Sequence, residues 1–223
     1  MVGDPLCSNP SDNVFQVLEY TLFQPGLFLD YLAYPFKTAS YVTPLSTFFD
    51  FQNRRAIVVE GHEEAVMTLT TVRDIAGIVA RAVEYEGGWP KVGGIRGNRV
   101  TVSRILEIGR QLRGNYGIRL GARRQGEVLT GLSGNSFSVE RVALGDLEAG
   151  RLNTSWLLSA QHPTSHGGDP TEIAAVLKTV LVSTLLSSAK GAWDVSEAWN
   201  VLLPDYHFAD IEGFLSTVWE GKA

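Results

Sequence analysis

The chain has almost no cysteine and no large excess of either charge. Cys7 is the only cysteine among 223 residues, so neither an intrachain disulfide nor a zinc site built from several thiolates can form. The formal net charge is -5, whereas general nucleic-acid binders carry a positive surplus that contacts phosphates. Composition therefore excludes a disulfide framework, a thiolate zinc cluster and a basic nucleic-acid surface.

Long hydrophobic runs are also scarce. The most apolar stretch, residues 176–186, is interrupted by Lys178 and by threonine and serine, so we expect no membrane span and no membrane partner. The first residues lack the basic start and apolar run of a secretory signal. We therefore expect a cytoplasmic protein in a reducing setting.

The first half of the chain alternates strand and helix patterns. Residues 1–13 are rich in Gly, Pro, Asp, Asn and Ser and predict a disordered lead-in. Strands are predicted at 56–60, at 67–71 and within 94–102. Helices are predicted at 73–86, ended by Gly87-Gly88, and at 103–112. The first of these helices carries an apolar stripe made of Ile75, Ile78, Val79, Ala82 and Val83.

The second half is predicted to be mainly helical. Residues 109–134 are rich in glycine and show no period, and a strand at 137–142 and a short helix at 144–150 follow. Asp169 is a predicted N-cap for a helix that runs to about residue 189 and has a wide apolar face. Asp210 is predicted to cap a last amphipathic helix.

The standard sequence motifs of catalysis and nucleotide binding are missing. The nearest glycine cluster, residues 93–97, has the wrong spacing for a dinucleotide loop, and no P-loop or nucleophile elbow is present. His162 and His166 stand beside Pro163 and two glycines, which favours a loop over a metal site, so we predict no metal. Arg119, Arg123 and Arg124 fit a solvated loop, with phosphate binding as the alternative. Thr71 and Asp74 fit a helix cap, with a ligand contact at the strand end as the alternative.

The segment at residues 20–35 stands out. Its pattern predicts a strand, a turn at Pro25-Gly26 and a short helix from Leu27 that ends before Pro35. Phe28, Tyr31 and Leu32 would share one face of that helix. This face can pack the helix on a sheet or line a pocket, and the spacing alone leaves both open.

Four stretches together resemble the C-terminal part of fungal NmrA-like proteins, relatives of isoflavone reductases among the atypical short-chain dehydrogenase/reductases. They are YTLFQPGLFLDYL, TLTTVRDIAGIVARAVE, VGGIRGNRVTVSRILEIG and the closing LLSSAKGAWDVSEAWNVLLPDYHFADIEGFLSTVW. The resemblance implies an α/β chain with an incomplete Rossmann-type fold: residual parallel strands plus a mainly helical, substrate-side C-terminal region. It makes residues 14–223 a partial NmrA-like domain and 115–134 an atypical insertion.

The resemblance also implies a function. It implies an oxidoreductase that uses NADP or NAD on a small organic substrate, aromatic or conjugated; the alternative is a non-catalytic NAD(P)-sensing regulator or interaction protein. Pro25, Gly26, Leu27 and Phe28 would border the reactive end of the cofactor. Phe28, Tyr31 and Leu32 would line the substrate pocket. Catalytic residues stay unassigned, because the family's active-site lysine has no counterpart in these residues.

Two departures from the family pattern lead to a further hypothesis. The glycine-rich turn of the family is not in this sequence, and residues 115–134 match nothing in the family. We therefore expect an incomplete gene product, inactive as this chain, in which 115–134 is a retained intron. An unpaired sheet edge would favour self-association.

Overall fold

The computed structural model describes residues 19–113, 137–159 and 169–222. The predicted lead-in at 1–13, the insertion at 115–134, the three arginines within it, and His162 and His166 lie outside these ranges. Within them the protein is α/β, with helices packed on small parallel and mixed sheets.

Eight short strands in the described residues form three sheets. The strands are β1 Leu22–Gln24, β2 Leu27–Phe28, β3 Phe49–Asp50, β4 Arg55–Val59, β5 Val66–Thr70, β6 Val92–Gly94, β7 Asn98–Thr101 and β8 Ser138–Val142. β1 pairs with β6 in parallel, and β5 lies between parallel β2 and antiparallel β7. β4 lies between antiparallel β3 and parallel β8. The strands predicted at 56–60 and 67–71 are therefore confirmed as β4 and β5, each shifted by one residue.

The described residues also form helices, and two of these begin at caps predicted from the sequence. They are a 3-10 helix Leu29–Ala33, α1 Val72–Val83, α2 Val102–Arg113, α3 Leu144–Glu148, α4 Pro170–Ala189, α5 Ala198–Leu202 and α6 Ile211–Trp219. Asp169 accepts a hydrogen bond from the Thr171 amide at the start of α4. Asp210 accepts one from the Gly213 amide at the start of α6. Both predicted caps are confirmed.

Two separate clusters of buried side chains hold the elements together. The larger joins β2, β4, β5, α2, α4 and α6, and contains three adjacent buried aromatics, Phe48, Phe49 and Phe51. The smaller lies between α1, β6 and α5 and is centred on Trp199, whose ring stacks on Phe23 with centroids 5.4 Å apart. The segment 22–33 contributes to both clusters, which makes it a junction of the fold.

One predicted boundary in the first half is wrong. α1 ends at Val83, before the glycine pair, and Val83, which the prediction included in the apolar stripe, is 73% exposed. The chain leaves the helix there because Tyr85 packs edge-on against Trp199, with ring centroids 6.1 Å apart. The strand predicted within 94–102 is confirmed as β7, whereas β6, which precedes it and belongs to a different sheet, was not predicted.

The long helix α4 also differs from expectation. It is the one helix of the described residues that is long and apolar enough to cross a membrane by length and composition, contrary to the sequence analysis. The threonines counted as interruptions are compatible with an apolar helix, because Thr179 and Thr184 donate to the carbonyls of Ala175 and Val180. Its predicted wide apolar face is only partly covered, since Leu181 and Leu185 are buried while Val176 is 61% exposed.

Candidate functional site

The turn at Pro25-Gly26 connects β1 to β2 and moves the chain from one sheet to the next. Gly26 has a φ of +71°, a conformation that favours glycine. A Cβ on Gly26 would lie 2.2 Å from the Thr68 carbonyl oxygen, so only glycine allows this approach to β5. The Thr70 hydroxyl donates to the Pro25 carbonyl at 2.8 Å. Both residues of the turn are therefore held against β5.

The helix predicted after the turn is shorter and tighter than expected. Leu27 and Phe28 continue as strand β2, paired with Leu69 and Thr70, and the 3-10 helix then begins at Leu29. The first two residues of the predicted helix are therefore in a strand, because they pair with β5. In the 3-10 helix that follows, Asp30 and Tyr31 are neighbours with different surroundings.

Asp30 enters a polar cluster at the start of α1. It is 5% exposed, and its carboxylate accepts from the Val72 amide at 2.7 Å and from the Thr38 hydroxyl at 2.6 Å. The amide belongs to the first residue of α1, where backbone N–H groups have no partner within the helix. Asp30 thus anchors the 3-10 helix to α1.

Asp74 is the centre of the same cluster. Its amide donates to the Thr71 hydroxyl at 3.0 Å, and that hydroxyl donates to the Asp74 carboxylate at 2.7 Å. The carboxylate also accepts from the Tyr206 hydroxyl at 3.1 Å and from the Ala209 amide at 3.2 Å. Burial and the Asp74 charge raise the pKa of Tyr206. The helix-cap interpretation of Thr71 and Asp74 is therefore confirmed, and Asp74 in addition attaches the C-terminal region to α1.

Tyr31 lines an apolar cavity of about 180 Å³ beneath α4. The other lining residues are Leu27, Leu45, Ser46, Thr47, Phe48, Leu158, Val180, Leu181, Thr184 and Trp193. The sequence analysis named Tyr31 for a substrate pocket and Leu27 for the border of a cofactor, and it assigned no site role to the others. These come from three distant stretches whose local patterns indicate only loop or core.

The polar side chains around the cavity are almost all engaged within the protein. Ser46 accepts from the Ser159 amide at 2.6 Å, and Thr47 accepts from the Phe49 amide at 3.2 Å. Thr184 donates to the Val180 carbonyl, and the Trp193 indole donates to the Thr184 carbonyl. These groups therefore stabilise the wall and leave a largely apolar interior.

The Tyr31 hydroxyl is the exception. In the described residues it has no hydrogen-bond partner, and it is not one of the fully buried unpaired atoms, so it remains accessible. Burial and the neighbouring Asp30 charge raise the pKa of Tyr31, which keeps the hydroxyl protonated near neutral pH. Tyr31 is therefore the polar lining side chain whose hydroxyl makes no hydrogen bond within the described residues.

The other predicted site residues are placed differently. Phe28 is half-buried with its ring 5.3 Å from that of Tyr31, and it is not among the cavity-lining residues. Leu32 is 1% exposed, and its carbonyl accepts from the Trp219 indole at 3.3 Å. Pro25 and Gly26 face β5. The structure thus brings together Leu27 and Tyr31 at the cavity, and the ligand roles of the other four stay predictions.

The start of α1 does not fit the phosphates of a dinucleotide. The start of α1 is the helix N-terminus nearest the predicted cofactor segment, and such a position favours anions when its amides are free. Here the Val72 amide donates to Asp30, and the Asp74 amide donates to Thr71. Two buried carboxylates occupy this end, so a pyrophosphate placed there would meet like charge.

A second depression lies along α6. It has a volume of about 440 Å³ and is lined by Thr38, Ala209, Asp210, Gly213, Phe214, Thr217 and Val218. Its polar side chains are engaged: Asp210 caps α6, Thr217 donates to the Gly213 carbonyl, and Thr38 donates to Asp30. No available polar side chain marks it as the better site.

Comparison with known proteins gives one distant relative. The chain is 24% identical over 209 residues to a protein of the fungus Arthroderma benhamiae named oxidoreductase swnN. The match covers 92% of this chain and 63% of that protein, so the chain spans less than two thirds of its relative's length. No family model and no solved structure matches.

Proposed function

We propose that this chain is part of an oxidoreductase of the NmrA and isoflavone reductase-like type. The observation that carries the proposal is the similarity to a fungal oxidoreductase, which extends over 92% of the chain. The four family-like stretches noted in the sequence support the finer assignment, including an incomplete Rossmann-type fold. The substrate we propose is a small aromatic or conjugated molecule, since the cavity at Tyr31 is small and mostly apolar.

The cofactor we propose is NADP or NAD, and this proposal rests only on the resemblance to the NmrA-like family. A nicotinamide supplies or accepts hydride, and the protein orients it. The Val72 and Asp74 amides at the start of α1 are engaged by Asp30 and Thr71, so we propose no phosphate contact there. The residues that we propose border the nicotinamide remain Pro25, Gly26, Leu27 and Phe28. We accordingly expect the 223-residue chain alone to show little or no turnover.

The test compares this chain with the longest product of its locus. NADPH and NADH oxidation are followed with cyclohexenone and with benzaldehyde as substrates. We expect oxidation by the longer product and none above background by the 223-residue chain. Rapid turnover by the short chain would overturn the expectation about the cofactor, and inactivity of both would overturn the enzyme assignment.

One observation favours a non-catalytic alternative. Tyr31 is the only titratable side chain among the residues that line the cavity, so the described wall offers no acid–base pair for proton transfer. A regulator that senses NAD(P) needs binding without proton transfer. Calorimetry that detects NADP(H) binding to the longer product, together with no oxidation of any substrate, would favour this alternative.

We also propose self-association through the edge of β1. Among the described strands β1 pairs only with β6, and Tyr20, Leu22 and Val92 at this small sheet are each at least half exposed. Unpaired strand edges pair with other chains, and a lysine on the edge blocks this. Leu22→Lys should lower the mass measured by light scattering. Val201→Lys, at an exposed position of α5, should leave it unchanged. A monomeric parent chain would contradict the proposal.

A further inference from the structure

The cavity beneath α4 has a size that limits what it can hold. At about 180 Å³ it is slightly larger than an engineered protein cavity of ~150 Å³ that accepts benzene. A single six-membered ring with a short substituent fits this volume, whereas a fused two-ring system that carries the same substituent exceeds it. The lining of leucine, phenylalanine and tryptophan side chains matches such a ring in polarity.

The polar side chains limit the ligand further. Ser46, Thr47, Thr184 and Trp193 already have partners inside the protein, whereas Tyr31 has none in the described residues. A neutral phenol donates one hydrogen bond, so the complementary ligand atom is an acceptor. A carbonyl oxygen attached to the ring provides that atom.

We infer that this cavity binds single-ring carbonyl compounds, with the Tyr31 hydroxyl donating to the carbonyl oxygen. The inference names the substrate class of the site under Proposed function and rests on that function for its biological meaning. Its test measures binding alone. A failure of turnover and a failure of binding are therefore distinguishable.

The shape of the cavity offers a matched pair of variants on α4. Val180 lines the cavity and is 47% exposed, so a larger side chain can enter from the rim without forcing the core apart. Val176 lies one helical turn earlier, is 61% exposed and does not line the cavity. Val180→Trp should fill the space, and Val176→Trp should leave it open.

The experiment uses fluorine NMR of three probes added to the full 223-residue chain. The probes are 4-fluoroacetophenone, 4-fluoroethylbenzene, which lacks the carbonyl, and 6-fluoro-2-acetonaphthone, which has two fused rings. We expect the single-ring ketone to bind about 2- to 10-fold more tightly than the hydrocarbon, as one hydrogen bond provides. We expect the naphthyl ketone not to bind.

The variants decide whether Tyr31 and this cavity are responsible. Tyr31→Phe should remove the difference between ketone and hydrocarbon, while Tyr34→Phe, in the same segment but outside the cavity, should keep it. Val180→Trp should abolish binding of both single-ring probes, and Val176→Trp should not. Equal affinity of ketone and hydrocarbon in the parent chain, a difference that survives Tyr31→Phe, or no binding of either probe would each overturn the inference.

Discussion

Asp30 and Tyr31 are adjacent in the chain and belong to two regions of opposite character. On one side lies the polar cluster of Asp30, Thr71, Asp74 and Tyr206, where each of these side chains has a partner inside the protein. On the other side lies the apolar cavity, where the Tyr31 hydroxyl has no partner among the described residues. The polar cluster therefore stabilises the fold, whereas the cavity is available to a ligand.

The largest expected effect is on the polar cluster. Asp74→Ala would leave the Tyr206 hydroxyl, the Thr71 hydroxyl and the Ala209 amide without their acceptor. Unpaired buried groups are costly, so we expect the free energy of unfolding to fall by about 3 kcal/mol in urea titrations. Asp210→Ala, which removes an exposed cap, should cost only about 1 kcal/mol. Equal losses would show that the cluster is no more important than an ordinary cap.

A smaller difference in stability is expected between variants of Tyr206 and of Tyr31. Tyr206→Phe removes a hydrogen bond to a buried carboxylate and should lower the free energy of unfolding by about 1–2 kcal/mol. Tyr31→Phe removes a hydroxyl without a partner in the described residues and should change it by less than about 0.5 kcal/mol. Urea unfolding of both variants measures the difference. If Tyr31→Phe proved the more destabilising, the comparison between the regions would be reversed.

The smallest effect is on the pH dependence of stability. The folded protein raises the pKa of both Tyr31 and Tyr206 above the ordinary value of 10.0. Above about pH 10 the unfolded chain loses these protons first, so it binds fewer protons than the folded chain and stability falls as pH rises. Each Tyr→Phe variant should flatten this decline in urea titrations at pH 9 to ~11. Tyr41→Phe, at a fully exposed site, should not.

The parts of the fold that were predictable depend on neighbours in sequence. The caps Thr71, Asp169 and Asp210 precede apolar helical patterns by fixed spacings, and all three helices begin where expected. Strands β4 and β5 are short apolar runs and were also predictable. The C-terminal end of α1 and the position of β6 involve contacts with Trp199, which lies more than 90 residues away in the chain.

The sequence pointed to the residues on only one wall of the cavity beneath α4. Tyr31 was named for a pocket and Leu27 for a cofactor border because the segment carries its own turn and a family-like pattern, and both line the cavity. The opposite wall, formed by Thr47, Val180 and Trp193, comes from stretches more than 10 residues beyond that segment. Asp30 was missed as a structural residue because its main partner, the Val72 amide, is 42 residues away. No local spacing encodes such contacts.

The 3-10 helix at Leu29–Ala33 has a consequence for how this protein can change. With three residues per turn, consecutive side chains diverge by about 120°, so Asp30 and Tyr31 point into different surroundings. A substitution at Tyr31 changes the wall of the cavity while Asp30 keeps the segment anchored. Within this single turn, one side chain can therefore be replaced with little cost in folding.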